Sequence, residues 1–217
     1  MNHNIKTIIF DLDGTLLDTL HDLTASVNYA LSAKDLPQRS TDEVRQFVGN
    51  GIKKLIERAV PEHTASDLLD TVFSTFKAHY ALHSMDHTQC YAGVLDTLAE
   101  LKKRGYQIAI ASNKINSAVQ DLNKQFFQRH TAYAIGESKG LDRKPAPDMI
   151  LHCMAQLQST PADTLYIGDS EVDILTARNA GIPIVSVTWG FRDRDLLESL
   201  QPEYIINHPS ELLDILR

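Results

Sequence analysis

The chain has 217 residues, 43% hydrophobic and 23% charged, with a formal net charge of −7. That size and composition describe a globular protein with room for one full domain and a smaller one. The acidic balance excludes a general nucleic-acid or acidic-membrane binder, whose footprint is basic, but not a small anionic substrate met by a local cation cluster.

The first apolar run holds Ile5, Ile8, Ile9 and Phe10 and reads as a buried strand with no basic-plus-apolar leader before it. It ends on Asp11-Leu12-Asp13-Gly14-Thr15. In an open α/β sheet, ligands bind just beyond the carboxyl ends of strands, so two acids there are a candidate nucleophile and acid/base pair.

From residue 18 to residue 89 the pattern is helical throughout. Leu20, Leu23, Val27, Ala30 and Leu31 recur at helical spacing after Asp18 or Thr19 as cap, and further helices are expected over 41–48, 52–59 and 65–83. After residue 90, strand-like runs at 107–111, 133–135, 164–167, 184–187 and 204–206 alternate with helical patterns at 94–104, 117–127, 147–157, 173–180 and 210–216. Such alternation predicts an α/β fold: a Rossmann-like core with a mainly parallel sheet. The expected organisation is a core of residues 1–17 and 90–217 with a helical-bundle cap domain, 18–89, inserted after the first strand. Cys90 and Cys153 belong to no Cys-x-x-Cys pattern and read as structural thiols of a reducing compartment. No apolar run reaches membrane-spanning length, so the expected location is the cytoplasm, without a membrane partner.

Three more candidate positions share the address of Asp11 and Asp13. Ser112-Asn113-Lys114 follows the strand at 107–111, where a hydroxyl and the N–H groups of a helix start make a phosphate cradle, although capping chemistry looks the same. Lys144 lies in Arg143-Lys144-Pro145-Ala146-Pro147, where the prolines hold the preceding residues extended. Asp169 and Asp173 follow the run at 164–167. Ser170 and Asp173 also fit a capping box, which explains Asp173 without any chemistry but not Asp169. Asp11, Asp13 and Asp169 in one cleft repel one another, and a divalent cation relieves that; an all-oxygen set suits Mg²⁺.

The ordered set Asp-x-Asp-Gly-Thr, strand-Ser-Asn, Lys-Pro and Gly-Asp-x-x-x-Asp resembles the haloacid dehalogenase superfamily of Mg²⁺-dependent phosphatases across nearly the whole chain. The 18–89 insert is similar to that family's four-helix cap. Val48-Gly49-Asn50-Gly51, the 167–180 stretch and Trp189-Gly190 look most like its phosphoglycolate phosphatase branch. The resemblance implies that Asp11 attacks phosphorus, forming an aspartyl phosphate, and that Asp13 protonates the leaving oxygen and then deprotonates the hydrolytic water. It implies Mg²⁺ on Asp11, the Asp13 carbonyl and Asp169, with Asp173 orienting metal-held water or Lys144. Phosphoryl oxygens fall to Ser112, Asn113, Lys144 and Gly14. Where the family often has proline before Gly93, this chain has Ala92.

The expected partner is a small phosphorylated metabolite, not nucleic acid, with the chain a monomer or homodimer. Phosphomutase, nucleotidase and pyrophosphatase activities of the same superfamily fit the same motifs. A phosphoacceptor signalling module uses similar residues but is usually about half this length and has no helical insert. Arg45, Asn50 and Lys53, around the glycine turn of the insert, are candidates for substrate choice; a solvated cationic face explains the charges equally well. His79, His83 and His87 stand at metal-ligand spacing on a helix, although the flanking Ser84, Asp86 and Thr88 favour a fraying helix end.

Overall fold

The computed structural model describes residues 5–216. In chain order the elements are β1 (Thr7–Phe10), β2 (Leu17–Asp18), α1 (Leu20–Ser32), α2 (Thr41–Phe47), α3 (Ile52–Ala59), α4 (Ser66–His83) and β3 (Gln89–Cys90). There follow α5 (Val94–Lys103), β4 (Gln107–Ile115), α6 (Asn116–Leu122), β5 (Tyr133–Glu137), α7 (Asp148–Leu157) and β6 (Thr164–Gly168). The chain then forms α8 (Glu171–Ala180), β7 (Ile184–Val187), α9 (Arg194–Ser199), β8 (Tyr204–Ile206) and α10 (Leu212–Ile215). Two compact units result: one is the chain up to Leu17 with Cys90 onward, the other Asp18–Gln89. Both crossings between them run through the short paired strands β2 and β3.

In the α/β unit six strands form one sheet in the order β5-β4-β1-β6-β7-β8, parallel at every pairing. Both faces are buried, which is why its strands read as continuous apolar runs rather than alternating ones. The pleat still sorts them. Ile8, Phe10, Ile108, Ile110, Leu165 and Ile167 join α5, α6 and α10 on one face, whereas Ile9, Ala109, Ala111, Tyr166 and Ile184 join α7, α8 and α9 on the other. Gly181, left-handed at φ +68°, ends α8 three residues after Arg178.

The helical unit packs Leu23, Val27, Ala30 and Leu31 of α1 around Val44, Leu55, Ile56, Ala59, Val72, Phe76 and Tyr80. One expected pattern does not form there. α4 ends at His83, so His87 leaves the helical stripe. His79 stacks on His83 and meets the Ser26 hydroxyl at 2.9 Å, His83 pairs with Asp86, and His87 pairs with Asp22. The three histidines are therefore not one ligand set.

Candidate active site

Register brings the strand ends together. Phe10 of β1 pairs with Ile110 of β4 and Ile167 of β6, so Asp11 lies one residue past that level and Ser112 and Asp169 two. Adjacent strands are about 4.8 Å apart, which puts these side chains in one crevice at the middle of the sheet. The Asp11 N–H donates to the Ile167 carbonyl at 2.9 Å, tying the nucleophile candidate to β6.

Lys144 is the electrostatic hub. Its buried ammonium donates to Asp11 Oδ1 at 2.6 Å, Asp173 Oδ1 at 2.8 Å and the Tyr166 hydroxyl at 2.9 Å. Asn113 places it: the Lys144 N–H donates to Asn113 Oδ1 at 2.8 Å, and the Asn113 amide donates back to the Lys144 carbonyl at 3.1 Å. Burial works against charge at every one of these groups. For Lys144, burial favours the neutral amine, but Asp11 and Asp173 outweigh it and raise the pKa. Asp173 falls below the ordinary carboxylate range because the ammonium overcomes its burial. At Asp11 burial prevails over Lys144, and the pKa is raised well above the usual value.

Asp169 is pushed up to about 7 by burial and then by the Asp173 charge, opposed by hydrogen bonds from the Phe191 N–H (2.8 Å) and the Thr15 hydroxyl (3.0 Å). Gly14 makes the close approach to Asp169 possible. Its φ is +89°, and a Cβ there would lie 2.5 Å from Asp169 Oδ2. Asp11, Asp169 and Asp173 each offer a carboxylate oxygen within 4.8 Å of the others. Three buried carboxylates balanced by one lysine lack positive charge, and an all-oxygen donor set fits a hard divalent ion such as Mg²⁺. Asp173 is committed on both oxygens, Oδ1 to Lys144 and Tyr166, Oδ2 to Ser170. Asp169 also accepts on both oxygens, Oδ1 from Thr15 and Oδ2 from Phe191, but neither carries a lysine, and Lys144 meets Asp11 on Oδ1 alone.

The expected phosphate cradle at a helix start is different in detail. β4 continues through Ser112-Asn113-Lys114 to Ile115, with a register shift against β5, and α6 begins only at Asn116. Any N–H donors here belong to an irregular strand end. Ser112 is buried, and its Oγ accepts from the Lys114 N–H at 3.2 Å. The carboxylate of Asp13 stands apart from the three-acid group and meets Lys114 Nζ at 3.0 and 3.2 Å.

Sequence reasoning missed Lys114 and Tyr166 as members of the site. Lys114 belongs to none of the motifs given a role, and Tyr166 lies within an apolar strand that reads as core. Arg45 lies in the last turn of α2 and Lys53 in the first turn of α3, both in the helical unit. Asn50 Oδ1 accepts from Arg58 Nη2 at 2.9 Å, so its amide is held by a neighbour in that unit.

A parallel sheet ending on two carboxylate pairs, a buried lysine and a strand-end hydroxyl defines a phosphoryl-transfer enzyme of the Rossmann-like class. The comparisons agree: residues 8–187 match the haloacid dehalogenase-like hydrolase family, and the chain belongs to it. It is similar to the phosphoglycolate phosphatase of Mesorhizobium japonicum, 35% identical over 93% of this chain and 90% of that one. It is also similar to phosphoglycolate phosphatase 1 of Pseudomonas aeruginosa, 33% identical over 96% of this chain and 78% of that one. Among solved structures, one from Lactobacillus delbrueckii subsp. bulgaricus superposes with a TM-score of 0.93 at 32% identity, covering 98% of both chains. A haloacid dehalogenase-like family hydrolase from Streptococcus pneumoniae superposes with a TM-score of 0.90 at 26% identity and full coverage of both. The chain is thus a phosphatase of the phosphoglycolate phosphatase-like branch.

Proposed function

We propose that the chain hydrolyses a small phosphomonoester with Mg²⁺, through an aspartyl phosphate on Asp11, and that 2-phosphoglycolate is its substrate. The observation that carries the mechanism is the contact of Lys144 with Asp11 Oδ1, which orients the carboxylate so that attack falls to Oδ2. Oδ2 bonds to phosphorus as the ester P–O bond breaks, and Asp13 gives its proton to the leaving alkoxide oxygen. Water then attacks the phosphorus and gives a proton to Asp13, and the P–O bond to Asp11 breaks, releasing phosphate and the free carboxylate. Ser112, the Asn113 N–H, Lys144 and Gly14 hold the phosphoryl oxygens. Mg²⁺ on Asp11, Asp169 and the Asp13 carbonyl would supply the positive charge that the three acids lack.

In this reading the α/β unit is the catalytic core. The helical unit is the cap that excludes water and chooses the substrate, with Arg45, Asn50 and Lys53 as its candidate selectors. The unpaired Cys90 and Cys153 support a reducing compartment, the cytoplasm. The similarity to the phosphoglycolate phosphatases named above supports this choice of substrate.

The test is phosphate release from a panel of small phosphomonoesters, nucleoside monophosphates, sugar phosphates and pyrophosphate, with Mg²⁺ or with chelator. Selective Mg²⁺-dependent turnover of 2-phosphoglycolate is expected, and Asp11→Asn should abolish it. Preference for another member of the panel would replace the substrate and keep the mechanism. Substantial turnover by purified Asp11→Asn would sink the mechanism.

A further inference from the structure

Among the described residues, two groups of side chains bring three potential metal-ligand atoms within 4.8 Å of one another. One is Asp11, Asp169 and Asp173. The other lies inside the helical unit and has different chemistry: His21, Asp22 and His87. We propose that this second group is a metal site for a borderline divalent ion of the Zn²⁺, Co²⁺ and Ni²⁺ kind, independent of the phosphatase centre.

The donors decide the ion. Two imidazoles and one carboxylate suit Zn²⁺ and its neighbours, whereas Mg²⁺ takes oxygen and keeps its waters. The distances fit as well. Two ligands about 2.0–2.1 Å from a tetrahedral ion lie roughly 3.3–3.4 Å apart. His87 Nδ1 is 3.1 Å from Asp22 Oδ1, and His21 Nδ1 is 3.9 Å from the same oxygen. The first separation needs almost no change. The second closes by about half an ångström, which the exposed His21 ring can supply by rotation.

The carboxylate is already fixed. Asp22 is buried, and it accepts from the backbone N–H groups of His87 and Thr88 and from the Thr88 hydroxyl, at 2.8–3.0 Å. Hydrogen-bonded support of this kind is what holds a ligating carboxylate in place at a metal centre. The imidazoles face solvent, with side-chain exposures of 69% for His21 and 61% for His87, so an ion has a way in and water can fill the fourth position. Their ring centroids are 4.1 Å apart, so both rings lie within reach of one ion. His83 and Asp86 form only a pair.

His21 and Asp22 open α1, while His87 lies beyond α4, 65 residues after Asp22. An ion here would bind together the first and last segments of the helical unit, close to its two exits at β2 and β3.

The experiment is calorimetric titration of the full chain with Zn²⁺ in excess Mg²⁺, which occupies the acidic centre. Wild type should take up one equivalent that His21→Ala/His87→Ala does not bind, and each single variant should bind at least tenfold more weakly. His79→Ala/His83→Ala should titrate like wild type. Zn²⁺ should raise the unfolding midpoint of wild type but not of the first double variant. Exposed histidines are chosen because Asp22→Asn would disturb the bonds around Thr88; phosphate release in Mg²⁺ should be unchanged and serves as the folding check. Uptake by the His21/His87 double variant equal to wild type would place the ion elsewhere, and no uptake by wild type would end the proposal.

Discussion

Replacing Lys144 with alanine tests the electrostatic hub most directly. The ammonium touches two buried carboxylates at 2.6 and 2.8 Å. At an effective dielectric constant near 20 each attraction is worth about 6 kcal/mol before desolvation is counted. Most of that is offset by the cost of burying the charges, but breaking a buried pair by removing one partner typically costs about 3–5 kcal/mol, because the other charge is left without a counter-ion. For a chain of this size that is a fall in the unfolding midpoint of roughly 6–20 °C.

The loss has a pH signature. In wild type Asp173 lies below the ordinary carboxylate range, so its contribution to stability is present above the unfolded value near 4 and lost as the pH falls through the lower folded one. Without Lys144, burial and the neighbouring carboxylates raise Asp11 further, and burial, the largest influence on Asp173, is opposed there only by the hydrogen bonds from Ser170 and Tyr166, so both rise relative to wild type. The folded variant then binds more protons than its unfolded chain above about pH 4, and its stability declines as the pH rises. The gap between wild type and variant should therefore widen from pH 5 to pH 8. Denaturant unfolding in EDTA at both pH values measures it, alongside phosphate release, which should fall at least about 10²–10³-fold. Adding Asp173→Asn should restore part of the stability and none of the activity. A gap that is the same at both pH values, or below about 1 kcal/mol at pH 8, would refute the argument and leave Lys144 with a purely catalytic role.

Three other outcomes follow from the same geometry. With Asp169 pushed up to about 7, protons compete with a cation below neutrality, so Mg²⁺ should raise the unfolding midpoint more at pH 8 than at pH 6; an equal shift would contradict the assignment of Asp169 as a ligand. Gly14→Ala forces a side chain into a left-handed position against Asp169, at a cost of about 1–3 kcal/mol, and should weaken Mg²⁺ binding measured by calorimetry; unaltered affinity would show that the close approach is dispensable. Lys114→Met keeps the volume but frees the Asp13 carboxylate, and kcat should fall roughly 10²-fold with little change in KM; an unchanged kcat would remove Lys114 from the machinery.

Much of the fold was legible because the buried parallel sheet writes itself as apolar runs separated by helical stripes. What was not legible had weak local signals. α9 is six residues with mostly polar side chains, and β2 and β3 are two residues each. The extension of β4 through Ser112-Asn113-Lys114 is polar, so it read as leading into a helix; pairing with β5 at Ala111 and again at Ile115 brackets it. In the site, Asp11 and Asp169 stood out because acids at strand ends have no packing role. Tyr166 did not, because its ring is core, although its hydroxyl meets Lys144 and Asp173 and the ammonium lies 5.7 Å from the ring centroid. The pairing of Asp22 with His87 spans 65 residues, which no local pattern encodes.

Asp173 shows why a capping pattern and a catalytic pattern need not be rivals. Ser170 and Asp173 do form the capping box, with the Ser170 N–H and hydroxyl donating to Asp173 Oδ2 at 3.2 and 2.6 Å. That uses one oxygen, and the cap turns the other, Oδ1, toward Lys144 and Tyr166. Ser40 and Glu43 make the same box at the start of α2, yet there it is exposed and the carboxylate's nearby cation is the adjacent Arg39. Both serve as helix starts; burial and a lysine from 29 residues upstream give only the first a second role. Cutting the cap at Ser170 should therefore disturb Lys144, and through it the orientation of Asp11, although Ser170 touches neither.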